Sequence, residues 1–402
     1  MNELLHQYKT EMENELESIL DYWQQHTIDK EFGGFYGKID NQNNVFKEAS
    51  KGSVLNARIL WTFSAAYSLT KNEEYLQRAQ RSYEYMNDFF VDKEFGGVYW
   101  AVDYKGEPLD TKKQIYALAF TVYGLSEFYK CSKNEDAKKK AISLYHDIVK
   151  YSYDEINDGY IEALTRNWKS LGDLRLSEKD ANEKKSMNTH LHVLEGFANL
   201  YTIWPDEGLR RKITGLLHLF LKKIINENTH HLHLFFDDAW NVKSHIISYG
   251  HDMEAAWLLL DAAAIIKDEY LVEKLKEVSV KMVVAVVENG LDNDGGLWYE
   301  YDVEKDHFIK EKHWWPQAES MIGFFNAWQI SGDEKYLKQS LSAWYFIQNY
   351  IRDKKNGEWF WGVKEDYELM NEDKVGMWKC PYHNGRACLE LIKRIKNELV
   401  SQ

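Results

Sequence analysis

His251 and Glu254 stand three residues apart at the head of the stretch Ser248-Tyr249-Gly250-His251-Asp252-Met253-Glu254-Ala255-Ala256-Trp257. On a helix that spacing puts both on one face, where a carboxylate can orient or charge an imidazole. An imidazole titrating near neutral pH gives or takes protons, which is general acid/base chemistry. Beyond Glu254, the run Trp257 to Leu260 and Ala262 to Ile266 is apolar all round except at Asp261, so this helix is expected inside a larger assembly.

Other chemistries are poorly served. His190 and His192 point about 200° apart on a helix and cannot face one ion, and His251-x-x-Glu254 lacks the His-Glu-x-x-His arrangement of zinc proteases. His230, His231 and His233 have no carboxylate or thiol at a familiar spacing. No Gly-x-Ser-x-Gly elbow or phosphate-cradling glycine loop occurs, and Cys380, beside Pro381, reads as packing. No metal and no cofactor are expected.

The elements that must position these groups come from an internal repeat. Asp29-Lys30-Glu31-Phe32-Gly33-Gly34-Phe35-Tyr36 returns 63 residues later as Asp92-Lys93-Glu94-Phe95-Gly96-Gly97-Val98-Tyr99, and weaker echoes begin at Asp154, Asp292 and Asp353. The 138-residue step between Asp154 and Asp292 is about two periods, and Asn226-Glu227-Asn228 supplies the missing sixth copy. Each copy follows an amphipathic segment and precedes an apolar one. Outer helices are predicted near 3–25, 72–90, 135–151, 208–226, 268–288 and 333–351, and inner helices near 52–69, 112–130, 187–203, 250–266, 316–331 and 382–397. Six hairpins can close on themselves, so the fold class expected is all-α, an (α/α)6 barrel with short β-hairpin loops at one end, spanning 1–402 as one catalytic domain. The charged excursion Trp168 to Lys185 is a candidate lid.

In such a barrel all inner helices begin at one end, so their first turns converge on one cavity. Those turns offer Asn56 and Arg58; Tyr116; Asn188, His190 and His192; His251 and Glu254; His313, Trp314, Trp315 and Glu319; and Trp378, Tyr382, His383 and Arg386. Acid/base work by histidines in an aromatic cavity fits this set. Composition agrees: 15 Trp and 26 Tyr suit a helical core or a carbohydrate site, and a net charge of −14 disfavours nucleic acid and anionic membrane as partners. No window approaches the roughly 18 apolar residues of a membrane span. With three cysteines at no metal spacing and no apolar stretch in Met1 to Lys9, a cytoplasmic setting is expected, as monomer or weak homodimer.

The stretches Asn56-Ala57-Arg58, Gln114-Ile115-Tyr116-Ala117, Met187 to Glu195, Gly250 to Glu254, His313-Trp314-Trp315-Pro316-Gln317-Ala318-Glu319 and Pro381 to Arg386 resemble the N-acylglucosamine 2-epimerase superfamily over essentially the whole chain. Asn188-Thr189-His190-Leu191-His192 and the His-Trp-Trp-Pro phrase look like its disaccharide branch, the cellobiose 2-epimerases, rather than the monosaccharide isomerases or N-acylglucosamine epimerases. The resemblance implies inversion at C2 of the reducing-end glucose of a β-1,4-linked disaccharide such as cellobiose or lactose, without cofactor. It implies that His251 and His383 form the acid/base pair, that His192 and Arg58 hold the O1/O2 edge, and that Glu254 supports His251. By the same resemblance Tyr116 and Asn188 contact the sugar, and Trp314, Trp315, Glu319 and Trp378 line its site. An (α/α)6 glycoside hydrolase and a non-catalytic sugar-binding toroid are the other classes, the first normally needing two carboxylates astride the scissile bond.

Overall fold

Helices that are apolar on every side end up inside, and helices with a single apolar stripe end up around them. In the computed structural model, which describes residues 1–401, the inner ring is α2 (Ser53–Thr70), α4 (Ile115–Ser132), α6 (Met187–Tyr201), α8 (Tyr249–Ile265), α10 (Trp314–Ser331) and α12 (Tyr382–Ser401). Each packs on the next, and α12 closes on α2. The outer ring is α1 (Asn2–His26), α3 (Glu73–Tyr85), α5 (Glu135–Ser152), α7 (Glu207–Leu219), α9 (Glu269–Asn289) and α11 (Glu334–Phe346). The expected (α/α)6 barrel is the observed fold.

Three outer helices run on into a π-helical turn, Met86–Phe90, Phe220–Ile224 and Ile347–Ile351. This wider turn rotates the last residues relative to the stripe before them. The pairing within the barrel also differs from the expected grouping of each outer helix with the inner helix after it. Tight turns instead join each inner helix to the outer helix that follows, with Lys71, Lys133 and Gly332 in the left-handed conformation, while α1 packs on α12. A short connection forces antiparallel neighbours, whereas the long hairpin excursions do not. The ring is sealed between chain ends by Trp344 Nε1 donating to Glu11 at 2.6 Å and Trp359 Nε1 to Glu15 at 2.7 Å.

The repeated aspartate is a structural device. In the first copy Asp29 Oδ1 accepts from the backbone of Glu31 and Phe32, and Oδ2 accepts from buried Lys51 at 2.7 Å. Lys113 with Asp92, Lys185 with Asp154, Lys312 with Asp292 and Lys374 with Asp353 repeat the ion pair at 2.6 to 2.8 Å. Each ties a hairpin loop to the chain entering an inner helix. In the fourth copy Asn226 keeps the turn, accepting from Asn228 and Thr229, and Ile247 stands where the lysine would be. Losing both charges together avoids stranding one of them in the interior. Gly34 has φ +61° in the first hairpin, and a Cβ there would lie 2.6 Å from the Tyr85 ring.

The entry to α6 hangs on a different group. Glu162, fully buried, accepts from the Ser186 N–H and the Thr189 hydroxyl, both at 2.7 Å, and burial pushes its carboxyl up to about 7. A folded pKa above the unfolded one of about 4.3 gives stability that is present below pH ~4.3 and is lost as pH rises toward 7. Thermal melts of wild type should therefore weaken between pH 5 and 8 by on the order of 3 kcal/mol more than those of Glu162→Gln. Parallel pH profiles would show that Glu162 does not titrate in this way.

Candidate active site

Helix geometry assigns the side chains at the barrel mouth to two directions. Counting from the residue before each inner helix, sixth positions are Arg58, Phe120, His192, Glu254 and Glu319, and fourth positions include His190, Asp252 and Gln317. Two residues of separation is about 200° of rotation, so one set faces the axis and the other faces the hairpin loops. The outward set holds those loops: His190 Nε2 accepts from Tyr160 N–H at 2.9 Å, Asp252 from Leu232 at 2.8 Å and Gln317 from Leu297 at 2.7 Å. His190 is thereby structural, as is His231, bonded to Asp252 at 2.6 Å.

The inward set, joined by residues of α12, forms one charged cluster around Arg386. Its guanidinium is fully buried and donates to Glu195 at 2.5 Å, to Glu254 at 2.6 Å and to Glu319 at 2.6 Å. The same carboxylates reach the histidines. Glu195 pairs with His192 Nδ1 at 2.8 Å and accepts from Tyr382, and Glu319 pairs with His383 Nδ1 at 2.7 Å while accepting from Trp257 Nε1 at 3.0 Å. His251 Nδ1 instead meets the Ser248 hydroxyl at 2.8 Å. In all three imidazoles Nδ1 is committed, and Nε2 has no hydrogen-bond partner among the described residues. The indole of Trp315 contacts two of them, its ring centre 4.6 Å from His251 and 5.6 Å from His383.

Electrostatics separates the groups. Burial, with His192 nearby, lowers His251 to about 3, and burial with Arg58 and Arg386 holds His383 well below the usual imidazole range. Both shifts favour the neutral imidazole. Against the desolvation of burial, Arg386 first and then His192 pull Glu195 down to about 2. Burial and then Glu319 raise Glu254 to about 7. Glu254, Glu319 and His383 stand close enough for one cation to bridge them, and the Arg386 guanidinium bonds two of them.

Arg58 closes the opposite wall. It donates to the Tyr116 hydroxyl at 2.7 Å and to Trp378 O at 3.4 Å, with its guanidinium over the Phe120 ring at 4.2 Å. Trp378 packs on Trp100 and Tyr116, and Trp314 packs on Trp361. Asn188 Oδ1 and Trp314 Nε1 are buried without a hydrogen-bond partner among the described residues. The excursion from Trp168 to Lys185 is pinned by Trp168 stacking on Tyr151, by Leu174 and Arg175 carbonyls accepting from Gln114, and by the buried Lys185. Lys179 and Asp180 within it lie near Glu300 of the fifth repeat, two repeats further round the ring.

All the predicted residues gather at this end, with two corrections of role. Glu254 does not orient His251; it bonds Arg386, and Ser248 holds the imidazole, because the helix lets the N-cap serine reach back to Nδ1. Glu319 is not a surface for sugar: it is fully buried and both its oxygens are committed to protein. The sequence reading missed Ser248 and Glu195, and it left Arg386 among the first-turn residues without a role. Glu195 had a legible signal, since it follows His192 by the same three residues that separate His251 from Glu254.

The chain has clear relatives. The profile of the N-acylglucosamine 2-epimerase (GlcNAc 2-epimerase) family matches residues 33–387. The cellobiose 2-epimerase of Bacteroides fragilis is 49% identical over 394 residues, covering 98% of this chain and 100% of that protein. The structure of cellobiose 2-epimerase from Bacillus thermoamylovorans superposes with a TM-score of 0.93 at 38% identity, covering 97% of this chain and 100% of that one. A family 76 α-mannanase from Bacteroides thetaiotaomicron shares the fold alone, at TM-score 0.67 and 12% identity over 97% of each chain. With a family profile spanning most of the chain and a full-length relative at 49% identity, this protein belongs to the N-acylglucosamine 2-epimerase family.

Proposed function

We propose that the protein inverts C2 of the reducing-end glucose of a β-1,4-linked disaccharide such as cellobiose, giving the mannose epimer. The observation that carries this reading is the pair His251 and His383, presented by different helices, both packed against Trp315, with neither Nε2 hydrogen-bonded among the described residues. Inversion needs a proton removed from one face of C2 and returned to the other, which one base cannot do. The sugar opens to its aldehyde, one imidazole takes the C2 proton, and the carbanion is held as an enediolate across O1 and O2. Arg58 and His192 supply positive charge or donors where that oxyanion develops. The other imidazole, entering the step as its imidazolium, delivers its Nε2 proton to the opposite face of C2, so the two rings end with their protonation states exchanged. Carbon enters and leaves at one oxidation level, so the sequence of steps calls for no redox partner.

The cluster also accounts for protonation. Glu319, bonded to His383 Nδ1, steadies that ring as imidazolium whenever it carries the transferred proton. The same arrangement weighs against glycoside hydrolysis, because the mouth carboxylates are bonded to Arg386 rather than free to flank a scissile bond. Close homology to the Bacteroides fragilis enzyme favours the disaccharide over a monosaccharide substrate.

Incubation with cellobiose in D2O tests the reading. Deuterium at C2 with a mannose-ended product is the expected result, whereas released glucose, a ketose alone or unchanged sugar would overturn it.

A further inference from the structure

The outer wall carries a second cavity, of about 320 Å3, between α7 and the third hairpin loop. Its origin lies in the repeat. Nine residues after the capping residue, α3 places Arg81, which donates to Gly34 O of the neighbouring hairpin at 2.9 Å, and α11 places Ser342, which crowds Gly295. The same position of α7 is Gly215, where a Cβ would meet nothing within 4 Å. The space that Arg81 and Ser342 occupy in those two repeats is open here.

What lines it is unusual for a chain of net charge −14. Arg211, Lys212, Lys222 and Lys223 recur at helical spacing along one side of α7 and its π-helical extension, and all four border the cavity. None has a carboxylate at ion-pairing distance among the described residues. Lys212 sits over the Tyr153 ring, 3.1 Å from its centre, and burial depresses its ammonium. The acid in the lining, Asp158, is engaged by the Tyr153 hydroxyl at 2.6 Å. Tyr160 backs the wall, 1% exposed, its hydroxyl buried and without a hydrogen-bond partner among the described residues. Unpaired cations converging on a concave groove are the complement of a compact polyanion.

We propose that this groove binds a small phosphorylated anion, a sugar phosphate or a diphosphate. Its volume is at the low end of ligand pockets, about 300–1,000 Å3, and suits a small ligand. Arg211 offers a bidentate fork to phosphate oxygens and the lysines offer point charges. The groove lies on the outer wall, so the proposal stands or falls independently of the chemistry at the barrel mouth.

Calorimetric titration of the full chain with inorganic pyrophosphate and with glucose 6-phosphate, at about 0.15 M salt to suppress unspecific surface attraction, tests it. One saturable site with Kd below ~1 mM is expected for at least one of them. Tighter binding of glucose 6-phosphate identifies a sugar phosphate, and tighter binding of pyrophosphate a diphosphate. Lys212→Gln and Lys222→Gln should each weaken it by roughly tenfold, as loss of one charge-assisted hydrogen bond does. Gly215→Leu should fill the groove and remove binding while keeping or raising the melting temperature, since glycine is a poor helix former. Absence of saturable binding by either ligand would overturn the proposal, as would binding unchanged in both Lys212→Gln and Gly215→Leu.

Discussion

His383→Ala and His251→Ala should each lose C2 inversion by about 10²–10⁴-fold, the usual contribution of a positioned acid or base. The more telling result is in the half-reaction. With one imidazole left, a variant can still remove and return the C2 proton on that imidazole's face. Each single variant should therefore exchange deuterium into C2 of one epimer without converting it, and the two variants should favour opposite epimers. The double variant should do neither. His251 is half-buried and His383 6% exposed, and each makes one side-chain hydrogen bond, so melting temperatures should change little beside the loss of activity. Full inversion by either single variant, read by NMR in D2O, would dismiss the two-base mechanism.

Arg386→Met should cost both stability and activity. The guanidinium is the shared counter-charge of Glu195, Glu254 and Glu319, and all three carboxylates are buried. Breaking a buried ion pair by removing one partner typically costs about 3–5 kcal/mol, and here three acids lose their partner together. Glu319 and Glu195 also aim His383 and His192, so their displacement moves both imidazoles. Arg386→Lys separates the two effects. A single ammonium keeps the charge but cannot span three carboxylates in a fixed fork, so the lysine variant should fold and yet turn over about 10²-fold more slowly, the cost of misplacing catalytic groups by about 1 Å. Chemical denaturation and kcat on the same samples read the two terms. A lysine variant of full activity would show that Arg386 supplies charge alone.

Much of this architecture was legible in the chain. The return of Asp29 at Asp92, Asp154 and Asp353, with Asn226 as the degenerate copy, marks the repeat. Burial on every side of Tyr116 to Leu125 against a single stripe in α3 separates inner from outer helices. The inner helices begin within three residues of their predicted starts, because a fully apolar run ending at a polar loop leaves little freedom. Less legible were the π-helical ends of α3, α7 and α11 and the pairing of α1 with α12, both set by contacts with other helices rather than by local preference.

At the mouth of the barrel the division is sharper. Sequence by itself determined which chemical groups are present and which face of its own helix each occupies: His192 opposite His190, and His251 in phase with Glu254. Only the tertiary structure decided their partners. Glu254 meets Arg386 from 132 residues away, Glu319 meets His383 from 64 away, and Ser248 rather than a carboxylate holds His251. The reason is physical: helical spacing fixes an angle about one axis, whereas a hydrogen bond across the barrel depends on how far neighbouring axes approach and at what height. Packing of the whole ring sets those quantities, and no local stretch of sequence contains them.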